Sequence, residues 1–164
     1  YAVSIALANE DEIVLGVVYE IGQDECFYAG KGLGSFLNGN RIHVSEKKDI
    51  HDAMIGTGFP YSDFDKLDNY IELLKDLTRT TQGLRRLGSA AVDICYTACG
   101  RFDAFYEYDL KAWDVAAGII IANEAGAKIS DFSGGKNYLF GKEFLVANTY
   151  IFDDLSKKIY RYMK

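Results

Sequence analysis

Trp113-Asp114-Val115-Ala116-Ala117-Gly118-Ile119-Ile120-Ile121-Ala122-Asn123-Glu124-Ala125-Gly126 is the stretch on which the reading of this chain turns. It predicts a helix: alanine and aliphatic residues run on without a proline, and Gly126 stands where a left-handed C-terminal cap belongs. Ala116, Ala117 and Gly118 carry almost no side chain, so another backbone can approach closely, and Ile119, Ile120 and Ile121 fill a buried segment. Asp114 falls in or beside the first turn. A carboxylate there is accounted for by the positive end of the helix. As a hard oxygen donor on a rigid element, beside a surface kept open by small residues, it also suits a metal ion. Spacing alone leaves both readings open.

The second informative stretch is Gly83-Leu84-Arg85-Arg86-Leu87-Gly88-Ser89-Ala90-Ala91-Val92-Asp93-Ile94-Cys95-Tyr96-Thr97-Ala98-Cys99-Gly100. Ser89 is a good N-cap and Gly100 a good residue just past a helix end. Ala90, Ala91, Ile94, Cys95 and Ala98 make a thin apolar stripe between them. The small residues at the start expose the first backbone N–H groups, an arrangement suited to anions as well as to plain capping. Arg85 and Arg86 read as structural or exposed.

Trp-Asp-x-Ala-Ala-Gly followed by Glu-Ala-Gly, with Arg-x-x-Gly-Ser-Ala-Ala upstream, resembles the inositol monophosphatase family of Mg²⁺-dependent phosphomonoesterases, and the resemblance runs over the whole chain. It implies that Asp114 ligates a catalytic metal. It implies that Gly88, Ser89 and Ala90 begin a helix whose end lies beside the substrate. Glu107, a strand-end residue that would otherwise read as a solvated charge, then accepts hydrogen bonds from substrate hydroxyls. Asp93, Asp103 and Asp109 have no such match and are left as structural. The family's other signatures, a Glu-Glu pair and Asp-Pro-x-Asp-Gly-Thr, do not occur here. They carry most metal ligands and the water-orienting Thr, so the catalytic residues are expected upstream of Tyr1. Two Mg²⁺ ions need several converging carboxylates, which Asp114 alone cannot supply.

Around these motifs the chain reads as strands first. Residues 1–8 read as a buried strand, with further strands at 13–19 and 25–29; short polar turns between them argue an antiparallel meander. Opening directly into an apolar strand, Tyr1 suggests a piece of a longer protein. Gly30-Lys31-Gly32-Leu33-Gly34 lacks the spacing of a phosphate-cradling loop and reads as a strand-edge turn. Asn38-Gly39 is a hairpin signal between 35–37 and 41–44. A short strand at 54–59, an amphipathic helix over 63–77 and a polar break at 78–82 follow. Residues 102–107, 128–131 and 144–148 read as strands, and 151–163 as a terminal amphipathic helix. His43 and His51 have no partner pattern and read as surface residues.

The fold expectation is α/β with layered sheets and helices, the latter part of the αβαβα sandwich that the resemblance implies. It forms one partial domain over 1–164, with an antiparallel sheet region at 1–60 and a C-terminal α/β region at 61–164. The chain has 164 residues, enough for a core, and a net charge of −6 with a sequence pI near 4.9. No basic tract exists, which argues against nucleic acid or an anionic membrane surface as partner. An acidic protein handling phosphate needs positive charge, and bound Mg²⁺ would supply it. Three cysteines form no framework, which points to free thiols in a reducing cytoplasm.

The expected ligand is a small phosphorylated polyol or sugar, inositol monophosphate first. Fructose bisphosphate, histidinol phosphate and nucleotide bisphosphates are the alternatives within the enzyme class, and a non-catalytic half-domain for binding or assembly is the alternative outside it. The fragment alone is expected to be inactive, and the resemblance adds a homodimer.

Overall fold

The computed structural model describes residues 1–10 and 12–164. Five strands form the first sheet in sequence order: β1 (Ala2–Asn9), β2 (Glu12–Glu20), β3 (Glu25–Gly30), β4 (Gly34–Leu37) and β5 (Asn40–Arg41). All its pairings are antiparallel, as short polar turns require. At the last turn Asn38 and Gly39 take φ of 47° and 83°, the two positive values of a type I′ hairpin.

The second sheet runs β7-β6-β8-β10-β9, from β6 (Met54–Thr57), β7 (Gly83–Arg85), β8 (Ala104–Tyr108), β9 (Lys128–Ser130) and β10 (Glu143–Ala147). Both neighbours of β6 are parallel to it, and β10 is antiparallel to β8 and β9, so the sheet is mixed.

Four helices complete the layers: α1 (Leu67–Thr80), α2 (Ala90–Ala98), α3 (Ala112–Glu124) and α4 (Phe152–Met163). Helices α2 and α3 lie between the two sheets, α3 against β1 to β4 and α2 against β6, β8 and β10; α1 and α4 pair on the far face of the second sheet. The order is therefore sheet, helices, sheet, helices, as the layered α/β expectation has it.

Each sheet face can be read from the alternation of its side chains. In β8 and β10, Phe105, Phe144 and Val146 join the core with α2 and α3. Ala104, Tyr106, Tyr108, Leu145 and Ala147 join the core with α1 and α4. Glu107 falls between Tyr106 and Tyr108, so its side chain is aimed at the α2/α3 layer. Central position in the sheet buries all five residues of β8.

The thin face of α3 does what small residues allow. A Cβ on Gly118 would stand 2.7 Å from Ile94 Cγ2 of α2, and a Cβ on Gly16 of β2 would stand 2.6 Å from Ala117 O. Glycine and alanine let α3 fit between a strand and a helix. The two C-terminal cap expectations are met as well: Gly100 and Gly126 follow α2 and α3 with φ of 76° and 92°.

Three local readings differ from what forms. β1 is a strand but not a buried one: Val3, Ile5 and Leu7 are 46%, 58% and 58% exposed, because no layer of the described residues covers that face of the first sheet. α1 starts at Leu67 and continues to Thr80, and the Thr78 and Thr80 hydroxyls are accommodated within it by donating to Leu74 O and Asp76 O. β7 has no hydrophobic period in its three residues; it exists because β6 offers an edge for parallel pairing. Among the described residues no helix is long and apolar enough to cross a membrane.

Candidate active site

A cavity of about 540 Å³ opens where the N-termini of α2 and α3 meet the C-terminal end of β8. Gly88, Ser89, Ala90, Glu107 and Asp114, separated by up to 26 positions, all line it.

Gly88 has φ of 94°, which turns the chain into α2, and Ser89 is extended at φ −143° and ψ 103°. Ser89 sits at the N-cap, yet its hydroxyl makes no capping bond. Within the described residues the first amides of α2 are thus left for something else, and they face the cavity beside a positive helix end.

Asp114 lies in the first turn of α3. Its Oδ2 accepts from the Lys111 backbone N–H at 2.9 Å, a local capping bond. Oδ1 has no hydrogen-bond partner among the described residues, and the side chain is part of the cavity wall. The helix-end reading of this carboxylate is therefore realised through Oδ2, and Oδ1 is left open to the cavity. Among the described residues no group of three or more His, Cys, Asp or Glu is placed to hold a metal ion. A cation at Asp114 would need further oxygen ligands.

Glu107 is 5% exposed, and Gly58, just past β6, makes room for it: a Cβ there would fall 2.1 Å from Oε2. Burial, and then the neighbouring carboxylates of Asp93 and Asp114, push its acid up to about 8. Asp93, buried in α2 with Oδ1 unpartnered, is pushed up to about 7, by burial against the opposing pull of the Ser89 amide and Arg86. Glu107 at the cavity and Asp93 behind its wall are thus two neighbouring carboxyls that hold their protons unusually well.

The remaining wall was not foreseen from sequence. Gly58, Tyr61 and Ser62 come from the loop after β6, and Asp109 and Lys111 from the link between β8 and α3. Asp109 Oδ2 accepts from the backbone N–H groups of Tyr61, Ser62 and Asp63 at 3.1, 2.7 and 3.1 Å, and from Ser62 Oγ at 2.8 Å. These donors hold its acid well below the usual carboxylate range, against the effect of burial. Its partners lie 46 to 48 positions away in the chain, so no local pattern marks it.

The glycine loop before β4 is bound already. Gly32 and Gly34 N–H donate to the two carboxylate oxygens of Glu124, each at 2.8 Å. The acidic residue of Glu-Ala-Gly therefore ties the end of α3 to the first sheet. His43 and His51 are exposed, and Cys26, Cys95 and Cys99 are free thiols.

With this geometry in place, residues 1–163 match the family model described as the inositol monophosphatase family. The chain belongs to the inositol monophosphatase family. It is 40% identical over 161 residues to the inositol-1-monophosphatase of Rhizobium meliloti, covering 98% of this chain and 60% of that protein. It is 41% identical over 157 residues to the Nus factor SuhB of Pseudomonas aeruginosa, covering 94% of this chain and 58% of the relative. The inositol monophosphatase structure from Anabaena superposes with a TM-score of 0.90 at 36% identity, over 98% of this chain and 64% of that one. This inositol monophosphatase family chain thus spans about three fifths of the length of the relatives it matches.

Proposed function

We propose that the full-length protein containing this chain is a Mg²⁺-dependent phosphomonoesterase acting on inositol monophosphate or a related sugar phosphate. One observation carries the reading: an anion-ready helix start, a carboxyl for alcohol groups and a carboxylate with a free oxygen converge on one cavity. The family membership supports it.

In this reading Asp114 would hold a cation, while the Oδ2 bond from the Lys111 amide fixes its rotamer. Bound Mg²⁺ would supply charge neutralisation at the phosphate and an activated water. Gly88, Ser89 and Ala90 would present backbone N–H groups to the alcohol part of the ester without reorganisation. Glu107 meets the hydroxyls of the alcohol part; ionised it accepts, and with its proton retained it can also donate. The other metal ligands and the water-orienting residue belong to motifs this sequence lacks, so the chain alone is expected to be inactive. The reading includes a homodimer in the cytoplasm, no nucleic-acid partner and no membrane partner.

Phosphate release from inositol 1-phosphate, fructose 1,6-bisphosphate, histidinol phosphate and a nucleotide bisphosphate by the full-length protein tests the reading. Asp114→Asn is expected to cost on the order of 100-fold in turnover with the fold retained. Unchanged turnover at limiting Mg²⁺ would remove the metal role.

The second reading is a non-catalytic binding or assembly half-domain. The exposed Val3, Ile5 and Leu7 face favours it, and so do relatives named Nus factor as well as phosphatase. Absence of hydrolysis across the panel by full-length protein would select it.

A further inference from the structure

Among the described residues that line the cavity, Asp109 is the one buried carboxylate that the proposed chemistry leaves without a task. It is 4% exposed, and it holds φ of 67°, a left-handed conformation that costs a side-chain-bearing residue. An aspartate kept there at such a cost needs a reason, and its four donors give one. Three consecutive amides and a hydroxyl of the 61–63 segment close on a single oxygen. The other oxygen, Oδ1, accepts from Lys111 Nζ at 3.3 Å. Lys111 in turn gives its backbone N–H to Asp114. The segment is fixed from the other end as well: Tyr70 OH donates to Gly58 O at 2.9 Å. The loop that carries Tyr61 and Ser62 into the cavity is therefore pinned at both ends, and one pin is joined through Lys111 to the cation-side carboxylate.

We propose that Asp109 is a positioning residue that sets specificity for the alcohol part of the substrate, by clamping the 58–63 loop, whose Gly58, Tyr61 and Ser62 form part of the cavity wall. This deepens the phosphomonoesterase reading and rests on it. The clamp acts on whatever part of the ester reaches Tyr61 and Ser62, which line the cavity, and not on the phosphate that the cation would neutralise. A bulky polyol ester feels its loss; an ester with a minimal alcohol does not.

Asp109→Gly in the full-length protein tests this, because glycine removes the carboxylate while relieving the positive φ. The readouts are amide exchange at 61–63 and kcat/KM for inositol 1-phosphate and methyl phosphate. Expected are faster exchange at all three amides, a fall of ~10-fold for inositol 1-phosphate, and methyl phosphate within about twofold of wild type. Asp109→Asn, which keeps an accepting oxygen, should lie between glycine and wild type. An equal fall for both esters would make Asp109 merely structural, and no fall for either would remove it from the site. Unchanged exchange at 61–63 would remove the clamp itself. A wild-type protein that hydrolyses neither ester overturns the functional reading and the specificity claim with it, while the exchange measurement separately decides the loop anchor.

Discussion

Glu107 shows how one side chain's chemistry depends on what its neighbours lack. Gly58 has no Cβ, so a carboxyl can lie against its backbone; burial then raises that carboxyl's acid to about 8, from near 4.5 in the unfolded chain. Linkage fixes the sign. Between those two values the unfolded state gives up a proton that the folded state keeps. The folded state is therefore favoured most below pH 4.5, and this contribution is lost as pH rises through 8, at about 1.4 kcal/mol per unit of difference. Asp93, raised to about 7, acts with the same sign. In metal-free protein the denaturation midpoint is expected to fall between pH 5 and pH 9, and Glu107→Gln to flatten that slope. Parallel slopes for the two proteins would mean that Glu107 titrates normally. The role of Glu107 was suggested by its place in a motif, but its proton retention was not legible. That property comes from Asp93, from Asp114 and from a glycine 49 positions earlier, which only the fold brings together.

At the scale of elements, α3 illustrates a contest between propensity and packing. Replacing a mid-helix glycine by alanine normally favours the helix by roughly 0.5–1 kcal/mol. At Gly118 the added Cβ would stand 2.7 Å from Cγ2 and 3.0 Å from Cβ of Ile94, a β-branched side chain with little rotamer freedom. Overpacking of that kind costs roughly 1–3 kcal/mol, so Gly118→Ala is expected to destabilise the protein. A higher melting temperature for the variant would show that α2 and α3 can move apart freely. The close approach at this helix was visible in Ala116-Ala117-Gly118, as were the turns at Asn38-Gly39, Gly100 and Gly126, because each is written in adjacent residues. The short β7 and the loop clamp at Asp109 were not. Their stabilising partners are an adjacent strand edge and amides far along the chain, and neither leaves a local period. The shifted start of α1 has a similar origin: Phe64 has the right spacing for its apolar face, yet it stays 57% exposed outside the helix.

At the scale of the whole molecule, the first sheet has two unlike faces. Val18, Phe27 and Ala29 point into the core with α3. On the opposite face, Ile5 pairs across to Val17 and Leu7 to Leu15, and Tyr28 stacks on Phe36 with ring centroids 5.4 Å apart. Ile5 and Leu7 are each 58% exposed. Fully covering a side chain of this kind stabilises by up to roughly 1.5–3 kcal/mol, so a contiguous apolar face here favours association of this chain in isolation. Light scattering of the isolated chain should report self-association that Ile5→Glu together with Leu7→Glu reduces. Persistence of the same association in the double variant would place the sticky surface elsewhere.

Nothing after Asp114 lines the cavity, yet the strand that brings Glu107 to it depends on what comes later. β8 pairs with β6 on one side and with β10 on the other, so without β10 one edge of a fully buried strand would stand open. A change in β10 is therefore expected to reach the cavity through the strand it covers, although the tail of the chain adds no residue to the cavity wall.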